Sequence, residues 1–258
     1  MAKPQIGLSM LYCLGKPFKD MTKEIHKTRT ARIEIVDDGL HALNKQRVMT
    51  LKNIAGSCDV EYTVHAPFAG INIALASTPL LNATLRRLKT SITNASVLNC
   101  GIWIFHPGLR SALSMFYPGM DWARNLESVR LLFRFARDHG IEAAIENTMD
   151  PLLLKGVEHF ERFYNEVNED VGLVLDTGHA NLIGQVEEFL TRFPYKIAHI
   201  HAHDNFGKRD EHLGIGYGNI DWNNFARLLK KASYSRIVTI ESFEHVEESM
   251  QKMKQLLM

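Results

Sequence analysis

The sequence has 258 residues, of which 45% are hydrophobic and 23% charged, as is typical of a soluble globular protein. Lysine and arginine total 30 against 29 aspartate and glutamate residues, and this balance argues against a protein whose main role is to coat nucleic acid. The chain has no apolar run long enough to span a bilayer, and its first residues lack the layout of a signal peptide. Its three cysteines form no CxxC pair, so we expect small buried hydrophobes in a cytoplasmic protein without a membrane partner.

A short apolar segment that favours a β-strand recurs eight times along the chain. In chain order the predicted strands are Ile6–Met10, Ala31–Val36, Val60–His65, Ile102–His106, Glu142–Asn147, Gly172–Asp176, Ile197–His203 and Arg236–Glu241. Amphipathic segments typical of helices lie between them, for example Leu80–Cys100 and Asp121–His139. The second of these is followed by Gly140, a common helix stop.

This alternation of strand and helix predicts an α/β fold with a parallel sheet. Eight repeats in a chain of this length predict closure into a single (β/α)₈ TIM barrel, one domain over residues 1–258. An open, doubly wound sheet is the structural alternative, and it would normally carry a glycine-rich phosphate loop after an early strand. The segment Leu11–Pro17 follows the first strand and contains neither GxGxxG nor GKS/T, so the barrel is favoured.

Residues able to bind a metal follow the predicted strands one after another. They are His65, His106, Glu146, Asp176, His179, His201, Asp210, His212 and Glu241. Because the carboxyl ends of barrel strands meet on one face, we expect these side chains to converge there. A mixture of imidazoles and carboxylates suits zinc, manganese or iron. The carboxylates would also repel one another without cations, so the pattern predicts at least one bound divalent metal ion.

The remaining histidines divide into three groups. His199 shares a strand face with His201 but lies deeper, and we interpret it as a core residue. His203 and Asp204 fit either support of a metal ligand or contact with a substrate. The others fall on predicted helices or helix ends and are expected at the surface: His26, His41, His139, His159 and His245.

Taken together, the motifs resemble the xylose isomerase-like TIM barrel superfamily. The matching segments are HAPF (65–68), HPG (106–108), IEN (145–147), LDTGHA (175–180), HIHAHDN (199–205), RDEHLGIGYGNIDW (209–222) and IESF (240–243), in the family's order and over nearly the whole chain. This superfamily holds sugar and sugar-phosphate isomerases and epimerases together with apurinic/apyrimidinic endonucleases of the endonuclease IV class. Each motif alone is weak evidence, whereas the ordered set is strong.

The resemblance implies three groups of ligands. A core metal would be held by Glu146, Asp176, His201 and Glu241. In the endonuclease branch His65 and His106 join Glu146 around another metal, and His179, Asp210 and His212 hold a third. The implied cofactor is therefore zinc or manganese, with one to three ions, and all nine positions carry a suitable residue.

Other segments depart from the endonuclease pattern. The second strand reads IEIVDDG (33–39) where that branch has an aromatic, arginine-containing segment that contacts DNA. Phe68-Ala69-Gly70 stands where that branch has a bulky tyrosine and leucine pair, and Met149-Asp150-Pro151 where it has Ala-Gly-Gln-Gly. Near-neutral charge also disfavours a protein that follows phosphates. These differences favour the sugar branch.

Two functions therefore follow from the resemblance. The first is a metal-dependent sugar or sugar-phosphate isomerase or epimerase that uses Glu146 and Glu241 for proton transfer, with a hydride shift as the alternative route. His65, His179, Asn147 and Lys208 are its predicted substrate-binding residues, the last through a phosphate. The second is an endonuclease IV-like phosphodiesterase that cleaves DNA at abasic sites, which alone would make DNA a partner. A non-catalytic sugar-binding barrel explains the metal ligands poorly, and a homo-oligomer stays open.

Overall fold

Eight short parallel strands form a closed barrel in the computed structural model, which describes residues 3–28 and 30–257. Each strand pairs with the next along the chain, and the eighth pairs with the first. The strands are β1 Gln5–Ser9, β2 Arg32–Val36, β3 Glu61–His65, β4 Ile102–Phe105, β5 Glu142–Glu146, β6 Gly172–Asp176, β7 Ile197–Ala202 and β8 Ile237–Ile240. The predicted (β/α)₈ TIM barrel is confirmed.

Helices follow the strands, and their ends carry ordinary capping signals. They are α1 Phe18–Lys27, α2 Lys45–Cys58, α3 Thr78–Val97, α4 Met120–Asp138, α5 Val157–Val167, α6 Thr177–Asn181, α7 Val186–Arg192, α8 Trp222–Lys231 and α9 Val246–Leu257. The side chain of Asn44 accepts a hydrogen bond from the Arg47 backbone at the start of α2. Beyond the end of α4, Gly140 has a φ of +71°, the left-handed conformation expected of a glycine helix stop.

The predicted strand order is confirmed, and no strand end differs from its predicted position by more than one residue. The carboxyl ends differ in an informative way, because β4 stops before His106, β5 before Asn147 and β7 before His203. These residues turn out of the sheet ladder into the loops that form one end of the barrel. The ligand-bearing positions therefore lie at the junction between a rigid strand and a loop.

Apolar packing fills the barrel behind this end. A small inner cluster includes Ile104, Ala144 and Val174, all fully buried. A larger apolar layer separates the strands from the helices, with Trp103 and Phe160 among its largest members. Because the interior is closely packed, the ligand-bearing ends rest on a support that resists displacement.

Two expectations about individual side chains are wrong. His41 is not at the surface but fully buried, since its Nε2 lies 2.9 Å from the Lys16 carbonyl oxygen and donates a hydrogen bond to it. Cys58 is exposed, with its Sγ 3.3 Å from the Nδ1 of His26, whereas Cys13 and Cys100 are buried as expected. Within residues 3–28 and 30–257, no helix combines the length and apolar character that crossing a membrane requires.

Candidate active site

A cavity of about 340 Å³ opens at the carboxyl ends of the strands. Its polar lining consists of His65, His106, Glu146, His179, Asp210, His212 and Glu241. Its apolar lining includes Leu11, Val36, Phe68, Ile71, Leu109, Met149 and Leu152. The other two predicted ligands, Asp176 and His201, are fully buried and reach the same group of side chains. All nine predicted ligands thus converge.

Glu146, the last residue of β5, stands at the centre of this group. Its Oε2 lies 3.3 Å from the Nε2 atoms of both His65 and His106. Its Oε1 lies 3.4 Å from His179 Nδ1 and 3.5 Å from His201 Nδ1. Burial alone would raise the pKa of this carboxyl, but the surrounding imidazoles, His201 and His106 foremost, hold it well below its usual range. Glu146 is therefore ionised at neutral pH.

His201 on β7 directs one ring nitrogen at three carboxylates. Its Nδ1 lies 3.5 Å from Glu146 Oε1, 3.5 Å from Glu241 Oε2 and 4.0 Å from Asp176 Oδ2. That nitrogen is buried and has no hydrogen-bond partner among the described residues. Ligand atoms about 2.1 Å from a tetrahedral zinc ion are roughly 3.4 Å apart, so these separations fit a shared cation. The four side chains are those that the resemblance assigns to the core metal.

Three further histidines are held with their Nε2 atoms facing the cavity. The Nδ1 of His65 donates to the Ala66 carbonyl at 2.8 Å, that of His179 to the Asn147 carbonyl at 3.0 Å, and that of His212 to the Glu241 carbonyl at 2.8 Å. A carbonyl oxygen can only accept, so in each ring Nδ1 carries the hydrogen. In a neutral imidazole the Nε2 lone pair is then free to bind a cation.

Asp210 brings the third ligand group together. Its Oδ2 lies 3.1 Å from His212 Nε2 and 3.4 Å from His179 Nε2. Burial lowers the pKa of His212, but the hydrogen bond to Asp210 and the nearby Glu241 charge more than offset it and raise that pKa to about 9. His212 also has a φ of +48°, an uncommon backbone conformation for a residue other than glycine. The side chain of His212 is held between Asp210 and the Glu241 carbonyl.

Glu241 and Glu146 are pushed in opposite directions by their surroundings. Burial raises the pKa of Glu241, and although His201 and His212 counteract this, the nearby charges of Glu34 and Glu146 add to it, so that the pKa stays above its usual value. The pKa of Glu146 lies well below its usual value. Two carboxyls whose pKa values are driven apart in one cavity suit an acid and a base.

Two predicted substrate-binding residues do not reach the cavity. The side chain of Asn147 is fully buried and makes two hydrogen bonds with the Asp176 backbone, accepting from its amide at 2.7 Å and donating to its carbonyl at 3.1 Å. Its amide therefore braces the predicted ligand Asp176 and does not face the cavity. Lys208 is exposed on the loop after β7 and does not line the cavity.

His203 and Asp204 have separate structural roles. His203 Nε2 lies 3.1 Å from both carboxylate oxygens of Asp176, so it supports a ligand. A Cβ atom at Gly178 would overlap the His203 ring, which explains the glycine in the DTGHA motif. Asp204 accepts hydrogen bonds from the Gly216 amide at 2.9 Å and from the Trp222 indole at 2.8 Å, and so anchors the loop after β7.

Sequence reasoning missed Glu34 on β2. Its side chain is fully buried, and its Oε2 lies 3.1 Å from His201 Nε2 and 3.4 Å from His199 Nε2. Burial raises the pKa of Glu34, but the two imidazoles bring it well below its usual range. The available signal was a glutamate between Ile33 and Ile35, in the buried part of β2. His199 is buried as expected and has Thr239 Oγ1 at 2.9 Å from its Nε2.

The fold and this group of side chains define a (β/α)₈ barrel with a histidine- and carboxylate-rich site at its carboxyl end. The chain matches the family described as "Xylose isomerase-like TIM barrel" over residues 29–257, and it belongs to that family.

The chain is also similar in sequence or structure to individual proteins. The uncharacterized protein MJ1311 of Methanocaldococcus jannaschii is 29% identical over 244 residues, which cover 92% of this chain and 83% of that protein. The crystal structure of a D-tagatose 3-epimerase-like protein has a TM-score of 0.92 at 28% identity, covering 98% of this chain and 97% of that one. The IOLI protein, solved with a zinc atom, has a TM-score of 0.77 at 19% identity, covering 98% and 96%.

Proposed function

We propose that this protein is a metal-dependent sugar isomerase or epimerase. The observation that carries the proposal is the group Asp176, His201 and Glu241, whose ligand atoms lie close enough together to hold one cation beside a small cavity. Glu146 joins this group through its Oε1, which lies 3.5 Å from His201 Nδ1. The likeness to a D-tagatose 3-epimerase-like structure supports the sugar class. The cytoplasmic location and the oligomeric state stay predictions from the sequence.

The metal proposed for this site is zinc or manganese. Glu146, Asp176, His201 and Glu241 would hold the first ion, and the mixed imidazole and carboxylate donors suit either metal. The groups His65–His106–Glu146 and His179–Asp210–His212 offer places for up to two more. When bound, such a cation supplies Lewis-acid stabilisation of negative charge that develops on neighbouring substrate oxygens.

Glu146 and Glu241 are the proposed base and acid. They extend from β5 and from the end of β8, which are three strands apart in the eight-stranded barrel, so they approach a substrate from different sides. Ionised Glu146 would remove the proton from the carbon that lies beside the carbonyl, leaving an enediolate. Glu241 would return a proton to the opposite face. A hydride shift between adjacent carbons is the alternative route on the same side chains.

The lining of the cavity favours an uncharged sugar over a sugar phosphate. Among the described residues that line it, none is lysine or arginine, and one wall is apolar. A phosphate in this cavity would therefore lack the lysine or arginine side chain that most often binds it in proteins. The volume is at the small end of the roughly 300–1,000 Å³ usual for small-molecule sites, which suits a monosaccharide. His65 and His179, which line the cavity, would orient its hydroxyl groups.

The test is a comparison of free ketoses with their phosphates. Protein reconstituted with zinc or manganese should convert a free ketohexose, with D-tagatose as the first probe, and should convert the phosphates poorly. Glu241→Gln should be inactive with an unchanged fold, because its side chain lies at the cavity and not in the apolar core. Full activity of that variant would contradict the assigned roles.

Endonuclease activity at abasic sites is the second candidate, and one observation favours it: all nine ligand positions of that branch converge in the structure. The test uses metal-loaded protein and a labelled duplex with one abasic site, with Glu146→Gln as the control. Cleavage 5′ to the lesion by the wild type alone would establish the endonuclease. Intact duplex in the presence of metal-loaded protein would eliminate it.

A further inference from the structure

Glu34 is a fully buried carboxylate that the proposed reaction does not use. It lies on β2, and its Oε2 is 3.1 Å from His201 Nε2. The other nitrogen of that imidazole ring, Nδ1, is directed at the carboxylates of Glu146 and Glu241, which belong to the predicted core metal group. Among the nine predicted ligands, all of which the structure describes, the one that Glu34 contacts is His201.

The tautomer of His201 is opposite to that of the other oriented histidines. His65, His179 and His212 each carry the hydrogen on Nδ1, because that atom donates to a backbone carbonyl in a strand-end loop. An ionised carboxylate can only accept, so the contact with Glu34 places the hydrogen of His201 on Nε2. The Nδ1 lone pair is then available to a cation.

The position of His201 explains why a side chain, and not a backbone carbonyl, accepts the hydrogen bond from its Nε2. His201 lies within β7, paired in register with Asp176 on β6 and Thr239 on β8. Backbone carbonyls in a closed parallel sheet are already bonded to neighbouring strands, so few are free to accept from a ring that points into the barrel. The carboxylate of Glu34 on β2 accepts the hydrogen bond instead.

We propose that Glu34 is a positioning residue that fixes the Nε2–H tautomer and the orientation of His201 and thereby strengthens metal binding at Nδ1. This inference rests on the metal dependence in the proposed function. A carboxylate partner also makes an imidazole ligand more basic, and loss of such a partner typically weakens metal affinity by about 10- to 100-fold.

Glu34 is itself held in place by two polar side chains of neighbouring positions in the barrel, Thr63 and His199. Thr63, its register partner on β3, has Oγ1 3.4 Å from Glu34 Oε2. His199 lies two residues before His201 on the same strand face and has Nε2 3.4 Å from the same oxygen. Thr239 Oγ1 lies 2.9 Å from that His199 nitrogen. These contacts hold the Glu34 carboxylate within hydrogen-bond distance of His201 Nε2.

The experiment compares Glu34→Gln with a matched control, Asp37→Asn. Asp37 follows β2 and is also fully buried, but it pairs with Arg87 at 2.7 Å and not with a predicted ligand. Competition against a chromophoric chelator gives the zinc affinity of each variant. We expect Glu34→Gln to bind zinc about 10- to 100-fold more weakly than the wild type and Asp37→Asn to bind it unchanged. Equal affinity of Glu34→Gln and wild type, or an equal loss in Asp37→Asn, overturns the proposal.

Nitrogen NMR of the zinc-loaded wild type gives a second readout that needs no variant to fold. We expect His201 to be protonated at Nε2, with that proton in a hydrogen bond; protonation at Nδ1 overturns the proposal. If the wild type binds no divalent metal, the proposed function itself fails. If it binds metal and Glu34→Gln binds it equally well, only the role of Glu34 is refuted.

Discussion

Replacing Glu146 with glutamine removes the charge at the centre of the site and nearly preserves its shape. Its two oxygens lie 3.3 to 3.5 Å from nitrogen atoms of His65, His106, His179 and His201. The substituted amide also places a donor where a ligand is needed. We therefore expect Glu146→Gln to lose both metal affinity and turnover while the barrel stays folded.

The size of the loss follows from the position of Glu146 among the predicted ligands. Loss of a side chain that only supports a metal ligand typically weakens metal affinity by about 10- to 100-fold. Glu146 contacts four predicted ligand imidazoles and is itself a predicted ligand, so its loss should weaken metal affinity by at least about 100-fold. Loss of the base should lower turnover by a further factor of about 10² to 10⁴.

Glu142→Gln is the matched control on the same strand. Glu142 begins β5 at the opposite end of the barrel, where it is partly exposed and pairs with Arg236. An exposed pair is worth about 0.2–1 kcal/mol, so this variant should keep its metal and its activity. Elemental analysis after dialysis, thermal unfolding and a sugar conversion assay compare the two. Wild-type metal content and activity in Glu146→Gln would refute the reasoning.

Three smaller predictions concern the support and the third ligand group. Gly178→Ala should displace His203 from Asp176, cost roughly 1–3 kcal/mol of stability and weaken metal binding, and an unchanged melting temperature and affinity would contradict the overlap. His212→Ala should lower the metal content by one ion per chain when three are bound, and elemental analysis showing an unchanged content would mean that Asp210 and its neighbours form no separate site. The pKa of His212 is raised to about 9, so a metal ion that binds there must displace a proton. Metal affinity at the His179–Asp210–His212 group should therefore rise as the pH approaches 9. A metal affinity that does not vary with pH would argue against binding at His212.

Much of the site was predictable because barrel geometry brings strand ends together. Glu146 and Asp176 are 30 positions apart in numbering, yet each ends a parallel strand, and β5 and β6 are neighbours. A pattern of polar residues at successive strand ends therefore predicts a single site without any knowledge of loop structure. The nine ligand positions followed from this rule and from the family resemblance.

Other features depend on side-chain direction and distant contacts. Asn147 follows Glu146, and leaving the strand turns its amide towards the Asp176 backbone and away from the cavity. Lys208 lies in a loop whose path strand periodicity does not predict. Glu34 meets His201, which is 167 positions away, and a glutamate between two isoleucines does not reveal that partner. The ring nitrogen that each histidine presents likewise depends on contacts absent from the sequence pattern.

The central claim is that a metal at this site supports proton transfer on a sugar. Its most direct test is deuterium exchange into D-tagatose in D₂O by chelator-treated protein, with and without added zinc or manganese. The account predicts deuterium at the epimerised carbon only after metal is restored, and none with Glu146→Gln. If protein that elemental analysis finds free of metal exchanges deuterium as fast as metal-restored protein, the central claim is contradicted.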